Sequence, residues 1–531
     1  MAATTLLLWQ VPGILAVRQV SNTRFQQLAN IVSNYPIRNV YLIMRNIRKV
    51  LALLFLIGFY LFLTLTPSTT FAQHEADNWF FGREVGLSFA TGKPTPVYGS
   101  PIKQTEGTAV ATDPKSGKLL FYTDGSTVWN ADHKIMLNGE GLLGSFTSTQ
   151  TALALPFPGK SNLFYLFTTR SFADKGGGLH YSVIDMTLSS GMGGVSVDEK
   201  NILLEKFGSE KLTAIPHINK RDFWLISHRW DSDVFLVYLV SPMGISAAKE
   251  IKIGTVHRKA VEGADHYLSE EIGTLKGSPD GRMLAAAVYN ESKRPFELYD
   301  FDNRNGTISN YRSLGNFSNQ YSLSFSPDNS KLYLSLLSDY GAFQFDIKNL
   351  NLPPASIISP DAVNNNVTYV AGALQLGPDG KLYMACLDRK GLLVINSPNS
   401  QIESIDIQEL PMDLQSGRIY QGLPNFLQST FNTSPTEPFK PGTTVCGEDL
   451  FVYPNPVIDK KFTVQMDSAS WRPTCSLLRF KVFLVSGVEL LSTDYQINET
   501  FEVDTTAWPA GLYMLVFEYE RKRIVKKVVK I

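Results

Sequence analysis

The sequence predicts an all-β protein, in which a β-propeller of about seven blades is followed by a small carboxyl-terminal β-sandwich. One turn-and-strand pattern recurs as GTLKGSPDGRMLAAAV, YSLSFSPDNSKLYLSLL and ALQLGPDGKLYMACL, with aspartates 48 and 51 positions apart (328 − 280 and 379 − 328). After a break rich in Pro and Thr, strand-like alternation resumes and continues to the last residue. No long helical period interrupts the repeats, and units of four short strands are typical of a propeller.

Each repeat predicts a β-hairpin with a locally specified turn. Proline presets the second turn position, aspartate is tolerated at the third, and glycine relieves crowding at the fourth. The following residues alternate, with Leu332 and Leu334 on one face and Tyr333 on the other, which is the period of a strand. Four looser copies bring the predicted inner strands to seven, and they begin at Gly107, Gln150, Lys211 and Gly422.

Burial explains why such units repeat. One four-stranded sheet leaves its faces exposed, whereas sheets packed around an axis cover one another and keep only short edges. The propeller is predicted at 76–432 with seven blades, although six or eight also fit. Because the last inner strand has no downstream partners, residues 78–89 are expected to supply them and close the ring. A stack of β-sandwiches is the alternative, but no linker interrupts residues 107–431.

The amino terminus predicts export. A basic flank at 45–49 precedes an uncharged apolar run at 50–66, and small residues end at Ala72 before Gln73. This order is typical of a secretory signal peptide, predicted at 44–72 with cleavage between Ala72 and Gln73. An uncleaved membrane anchor is the alternative, since the run is barely long enough to cross a bilayer.

Residues 1–43 are unusual because a signal peptide normally begins the chain. We interpret them as translated from a start codon assigned too early, with Met44 as the true start, or as disordered.

Composition and motifs exclude several classes of protein. Lys plus Arg and Asp plus Glu both number 49, so no basic surplus is present to bind nucleic acid. The seven histidines form no HExxH or i,i+4 pair, and neither a GxSxG elbow nor a P-loop occurs. No metal, cofactor or catalytic residue is therefore predicted. Of the three cysteines, Cys446 and Cys475 could bridge, and Cys386 is expected to be a buried apolar filler.

One motif predicts a ligand-binding site. HINKRDFWLISHRW contains imidazole, carboxylate and indole groups at predicted strand ends, where they could line a pocket near the propeller mouth. These candidate residues are His217, Asp222, Trp224, His228 and Trp230. In the alternative interpretation, His217 and Asp222 satisfy each other across a turn and the tryptophans pack between blades.

A second acidic motif, EGADHYLSEEIG, supplies carboxylates and a histidine that could act as acid–base catalysts or calcium ligands. Its spacing fits no EF-hand loop, so a solvated loop is the expected structure. The residues concerned are Glu262, Asp265, His266, Glu270 and Glu271.

The repeat region resembles a propeller module with WD40-like repeats found in secreted proteins of Bacteroidota. The resemblance rests on NWFFG, on TEGTAVATDPKSGKLLFYTDG, on HINKRDFWLISHRW and on GLPNFLQSTF, which together span most of 78–431. That family has no agreed activity. Two function classes are therefore open: a non-catalytic propeller that binds a glycan or protein, or an extracellular hydrolase or lyase acting on polysaccharide or peptide. Acidic residues converging on the mouth would favour the second class.

The carboxyl-terminal region begins with a predicted linker at 433–448, and residues 449–531 alternate strongly enough to predict a β-sandwich. This module resembles the type A sorting domain of the type IX secretion system. The matching residues, in order, are Tyr453, Pro454, Asn455, Pro456, Gly487, Gly511, Tyr513, Lys526 and Lys527. The resemblance implies passage through the periplasm, handling by the type IX machinery and its sorting peptidase, and release or attachment at the outer-membrane surface.

Overall fold

The computed structural model describes residues 74–171, 178–258, 270–337, 341–358, 370–387, 389–433, 450–453, 455–457, 460–466, 477–496, 501–519 and 522–531. The predicted signal peptide with its Ala72–Gln73 cleavage site, and the cysteine pair Cys446 and Cys475, lie outside these residues. No helix within the described ranges has the length and apolar content needed to span a membrane.

The strands up to Glu205 form two sheets, and the second, of nine strands, contains two blades joined by a parallel pair between Leu137 and Gly194. A three-stranded sheet contains β1 (Asn78–Phe81), β2 (Val85–Ser88) and β3 (Thr95–Val97). Blade 1 contains β4 (Ala109–Thr112), β5 (Leu119–Thr123), β6 (Thr127–Asn130) and β7 (Ile135–Glu140). Blade 2 contains β8 (Ala152–Pro156), β9 (Leu163–Arg170), β10 (Gly178–Asp185), β11 (Gly194–Val195) and β12 (Ile202–Glu205), with a short helix at Leu188–Gly191.

Blades 3 to 6 repeat the same up-and-down order. Blade 3 contains β13 (Gly208–Pro216), β14 (Phe223–Arg229), β15 (Ser232–Ser241), β16 (Gly244–Ile245) and β17 (Lys249–His257). Blade 4 contains β18 (Leu275–Gly277), β19 (Met283–Ala286), β20 (Arg294–Asp302) and β21 (Thr307–Phe317). Blade 5 contains β22 (Gln320–Phe325), β23 (Lys331–Leu336), β24 (Gly341–Asp346) and β25 (Ala355–Ile358). Blade 6 contains β26 (Ala371–Leu376), β27 (Leu382–Cys386), β28 (Gly391–Ile395) and β29 (Ile407–Pro411). A 3-10 turn at Ile402–Ser404 lies between β28 and β29, and another follows the blade at Gln428–Phe431.

The apolar cores lie between neighbouring sheets, which is the packing predicted for a ring. Phe121 of blade 1 packs with Leu166 of blade 2, and Ile226 of blade 3 packs with Tyr299 of blade 4, all four fully buried. Inner strands are adjacent in chain order from β4 to β26. Because each sheet buries both faces only by facing two neighbours, the sheets form a β-propeller rather than separate sandwiches.

The amino-terminal sheet closes the ring as blade 7, as predicted for residues 78–89. The fully buried Trp79 ring meets Tyr383 of blade 6 edge-on, with ring centroids 5.4 Å apart. Arg83 and Arg418 exchange backbone hydrogen bonds of 2.8 and 2.9 Å. The two ends of the propeller sequence are therefore joined by both apolar packing and backbone pairing.

The seventh inner strand differs from the prediction. The segment from Gly422 does not form a regular strand; it runs beside β4 through one parallel bridge between Thr108 and Pro424. Proline lacks the N–H that a ladder requires, and the chain then turns into the 3-10 segment Gln428–Phe431.

The hairpin turns occur at the predicted positions, but the reason for glycine at the fourth turn position differs from the prediction. Gly281, Asn329 and Gly380 occupy that position and have φ of +71°, +62° and +74°. This left-handed conformation is costly for most side chains but not for glycine, and asparagine tolerates it. The backbone angle therefore determines the residue there, rather than crowding.

The terminal module is a β-sandwich, as predicted. One sheet contains β30 (Leu450–Tyr453), β31 (Lys461–Met466) and β34 (Phe501–Asp504); the other contains β32 (Leu477–Leu484), β33 (Glu489–Gln496), β35 (Gly511–Tyr519) and β36 (Lys522–Lys530). Its own core includes Phe462, Phe480 and Phe517, all fully buried.

Candidate functional site

The propeller has two faces that differ in what they contain. We call the face where inner strands begin the mouth face, and the opposite face, which contains the turns between inner and second strands, the turn face. On the turn face lie the SPDG-type turns, for example Ser278 to Gly281. On the mouth face lie the residues just before or at the start of each inner strand, such as Glu106, Thr149 and Glu210.

The five candidate residues of the HINKRDFWLISHRW motif do not form one site. Strand β14 runs antiparallel to the inner strand β13, so that Pro216 pairs with Phe223 at the turn face and Gly208 pairs with Arg229 at the mouth face. His217, Asp222 and Trp224 therefore lie at the turn face, and His228 and Trp230 lie toward the mouth face.

His217 and Asp222 form the blade 3 version of the SPDG turn. The N–H of His217 donates to the carbonyl of Asp222 (2.9 Å), as the N–H of Ser278 donates to the carbonyl of Met283 (2.9 Å). The Asp222 side chain accepts from Asn219 (2.9 Å) and from the Arg221 guanidinium (2.7 and 3.0 Å). The two residues thus pair through the backbone, and the Asp222 carboxylate is used within the turn.

Trp224 joins blades 3 and 4. Its indole N–H donates to the Asn303 carbonyl (2.8 Å), and its ring packs over Gly306 so closely that a Cβ there would lie 2.6 Å from Cε3. This placement agrees with the alternative interpretation of a tryptophan packed between blades.

His228 is fully buried below the mouth face. Its ring stacks on His257 with centroids 3.8 Å apart, and the edge of Phe235 lies 4.6 Å away. The ring of His257 in turn contacts the Glu297 carboxylate (Nε2 to Oε2, 3.0 Å). Burial lowers the pKa of both histidines, that of His228 well below its ordinary value, so the pair is neutral in the folded protein.

Two acidic residues, Glu106 and Glu210, lie at the mouth, but only Glu106 is partly exposed, since Glu210 is 0% exposed. The Tyr321 hydroxyl of blade 5 donates to the Glu106 carboxyl of blade 1, and Glu210 of blade 3 accepts from the backbone N–H and the hydroxyl of Thr149 of blade 2 (2.7 and 2.8 Å). Burial raises the pKa of Glu106 to about 8, and burial also raises the pKa of Glu210. Near neutral pH, Glu106 is therefore a protonated acid that both donates and accepts hydrogen bonds.

A buried lysine, Lys211, follows Glu210 in the chain. The Lys211 ammonium donates to the carbonyls of Glu270, Glu271 and Ile272 (3.1, 3.0 and 2.7 Å), which fastens the chain entering blade 4 to blade 3. Burial lowers its pKa to about 8.

The channel below the mouth is filled by amide side chains from Gln150, Gln375, Asn425 and Gln428, which we call the amide plug. Gln150 accepts from the N–H groups of Leu212 (3.1 Å) and Leu275 (2.7 Å), and Asn425 donates to the carbonyls of Ala152 (3.3 Å) and Leu212 (3.1 Å). Inner strands of different blades are thereby tied together at the axis.

A cavity of about 10 Å³, room for about one water molecule, remains at the plug. The Lys276 ammonium lies at this cavity and donates to Gln375 (3.0 Å), and burial lowers its pKa to about 7.

The second acidic motif is only partly described, since Glu262, Asp265 and His266 lie outside the described residues. Glu270 and Glu271 are buried, with 0% and 3% exposure, so the expectation of a solvated loop is wrong for these two. Glu270 accepts hydrogen bonds from the backbone N–H of Arg258 and the side-chain amide of Asn290 (both 2.8 Å), and these bonds anchor the chain between blades 3 and 4. No three His, Cys, Asp or Glu side chains among the described residues are placed to hold a metal ion.

The YPNP segment of the sorting motif is joined to the last strand through Asn455. The Asn455 amide donates to the Lys527 carbonyl and accepts from the Val529 N–H (both 2.9 Å), and Val457 pairs with Lys530. The Tyr453 hydroxyl donates to Gln465, and Gly487 takes φ +88° in the turn between β32 and β33.

The remaining motif residues border the same sheet. Gly511 begins β35, and the buried Tyr513 packs on Trp508 (ring centroids 4.7 Å). Lys527 is exposed and Lys526 half-buried on β36, and Pro456 is exposed; Pro454 lies outside the described residues.

Comparison with known families decides the role of this module. Residues 451–531 match the family described as a secretion system C-terminal sorting domain. The match indicates secretion by the type IX system, to the cell surface or the extracellular space. It also implies that the type IX machinery handles the chain.

No curated protein matches the chain. Among solved structures, it is similar to a protein assigned as a 6-phosphogluconolactonase from Bacteroides uniformis, with 14% identity, a TM-score of 0.36, and coverage of 75% of this chain and 100% of that one. It is also similar to a quinoprotein alcohol dehydrogenase-like protein from Bacteroides thetaiotaomicron, with 10% identity, a TM-score of 0.34, and coverage of 66% of this chain and 76% of that one. A third similar structure is an exo-β-1,3-galactanase from Phanerochaete chrysosporium, with 11% identity, a TM-score of 0.30, and coverage of 76% of this chain and 98% of that one.

Sequence reasoning missed the residues that meet at the mouth. Glu106 lies three residues before β4, and Glu210 and Lys211 are the third and fourth residues of β13. A charged residue near the start of an apolar strand is the signal that could have found them, but a solvated strand end has the same signal.

Proposed function

We propose that this exported propeller binds an extracellular ligand or partner at its mouth face without catalysing a reaction. One observation carries the proposal: polar side chains from blades 1, 2, 3 and 5 meet at the mouth, and the amide plug closes the channel beneath them. A concave site with a few convergent polar groups and a closed floor is suited to holding a ligand. After export, we expect the sorting peptidase to cleave off the sorting domain. The propeller is then released or attached at the outer-membrane surface.

Hydrogen–deuterium exchange tests the location of binding. The exported protein is incubated with extracellular polymers, and amide exchange is compared with and without them. We expect slower exchange at 104–107, 146–149 and 208–211 on the mouth face. Slower exchange confined to the turn face, at 278–281 and 326–329, would contradict the proposal, as would no change at either face.

The second candidate function is cleavage of an extracellular polymer, by a hydrolase or a lyase reaction. The position and raised pKa of Glu106 favour it. A carboxyl group whose pKa is raised to about 8 beside a second buried carboxyl, Glu210, is the kind of pair that general acid catalysis uses. Release of reducing ends or peptides by the wild type, abolished by both Glu106→Gln and Glu210→Gln, would establish this function. Polymers left intact by wild-type protein that binds them would support binding alone.

A further inference from the structure

Two exposed phenylalanines lie on the mouth face, and each is next to a mouth carboxyl. Phe146 is 57% exposed, and its carbonyl accepts a hydrogen bond from the hydroxyl of Thr105 (2.9 Å), the residue before Glu106. Phe207 is 48% exposed and precedes Glu210 by three residues. A single exposed apolar residue needs no explanation, but here the same pairing occurs at the entrances of two neighbouring blades, 2 and 3.

Phe207 is part of an aromatic ledge with Trp230, the one candidate indole that lies at the mouth face. The two ring centroids are 6.2 Å apart, and the backbone N–H of Trp230 donates to the Phe207 carbonyl (3.1 Å). Lys206 Nζ lies 5.5 Å from the Phe207 ring centroid. The backbone hydrogen bond fixes the two segments relative to each other, so the ledge needs no backbone rearrangement to present its rings.

We propose that the mouth face binds a neutral carbohydrate, whose sugar rings stack on Phe146 and Phe207 and whose hydroxyl groups hydrogen-bond to Glu106. This inference rests on the proposed function and names its ligand class. A sugar ring has an apolar C–H face and a rim of hydroxyls, which matches flat aromatic surface beside groups that donate and accept. An exposed carboxylate pair would favour a cation instead, but Glu210 is 0% exposed and only Glu106 is partly exposed. Burial raises the pKa of Glu106 to about 8, so an uncharged polyol fits better.

A glycan array probed with the full exported protein tests the inference. The array carries neutral oligosaccharides, anionic oligosaccharides such as alginate fragments, and denatured collagen as the protein ligand. We expect binding to neutral members, and at least tenfold weaker binding by Phe146→Ala and by Phe207→Ala. Met243→Ala is the matched control, since Met243 is 47% exposed in the same blade at the turn face, and its binding is expected to equal that of the wild type.

The outcomes separate this inference from the proposed function. Binding only to anionic glycans or to collagen, weakened by Phe207→Ala, overturns the neutral carbohydrate and leaves the mouth as the binding site. Neutral-glycan binding that neither phenylalanine variant alters overturns the stacking arrangement. Absence of binding to any neutral glycan also overturns the inference. The comparison requires that the variants melt at the same temperature as the wild type. We expect this because both rings are exposed.

Discussion

The hydroxyl of Tyr321 in blade 5 donates a hydrogen bond to the carboxyl of Glu106 in blade 1, across the mouth of the propeller. Blades 6 and 7 separate these two residues along the ring, so the contact exists only because the ring closes. It links the candidate site to the packing of residues that are far from it in sequence.

Replacing Glu106 with glutamine is expected to change how stability depends on pH. Because the folded-state pKa of Glu106 is raised to about 8, its contribution is full below the unfolded-state pKa near 4.5 and is lost as pH rises toward 8. Glutamine cannot ionise, so Glu106→Gln should gain stability relative to the wild type between pH 5 and pH 8. Urea unfolding at several pH values measures this, and parallel profiles for the two proteins would refute it.

The ring closure predicts a large effect of Trp79→Ala. Trp79 is fully buried against Tyr383, Phe89 and Phe426, and removing a buried tryptophan costs about 3–5 kcal/mol. Denaturant unfolding should show this loss, whereas Tyr98→Ala, at a site 43% exposed in the same amino-terminal segment, should cost much less. Equal losses for the two variants would mean that closure does not stabilise the propeller.

The turn of blade 3 should be stabilised by glycine. Lys220 has φ +59° at the position where Gly281 has φ +71° in blade 4. Lys220→Gly is therefore expected to stabilise the protein by about 0.5–1 kcal/mol, since glycine adopts this angle without strain. Gly281→Ala should do the reverse, because its Cβ would lie 2.9 Å from Ile215. Thermal melting of both variants measures this, and shifts of the same sign would contradict the explanation.

The stacked histidines predict sensitivity to acid. Burial lowers the pKa of His228 and His257 in the folded state, so the stability they contribute is full above the unfolded-state pKa near 6.5 and falls as pH decreases below it. His228→Phe keeps a ring between His257 and Phe235 but cannot be protonated. Its melting temperature should fall less between pH 7 and pH 5 than that of the wild type. A steeper fall would show that His228 is not held neutral.

Deleting residues 513–531 should trap the protein in the periplasm, because it removes most of β35 and all of β36. Asn455→Ala tests the motif more finely, since the Asn455 side chain joins the YPNP segment to β36. We expect less protein at the cell surface by immunoblot of fractions. Asp494→Asn, which removes an exposed ion pair with Arg479, is the control, because exposed ion pairs contribute little to stability. Normal surface display of the deletion variant would contradict the sorting role.

The sequence predicted most of the propeller because its signals are local. The turns at Ser278, Ser326 and Gly377 and the alternation after them specify hairpins independently of the rest of the chain. The same reasoning placed His217 and Trp230 in one site, although β14 carries them to opposite faces. Seven residues of strand separate the two ends of β14, so closeness in sequence did not mean closeness in space.

By itself, the sequence determined the hairpin turns, the blade repeat and the sorting module, since each depends on neighbouring residues or on a contiguous motif. Only the tertiary structure decided that Glu106, Glu210 and Tyr321 meet at one mouth and that an amide plug lies beneath them. The physical reason is that these groups are brought together by the burial of apolar sheet faces around an axis, and the polar residues themselves carry no local signal of that geometry.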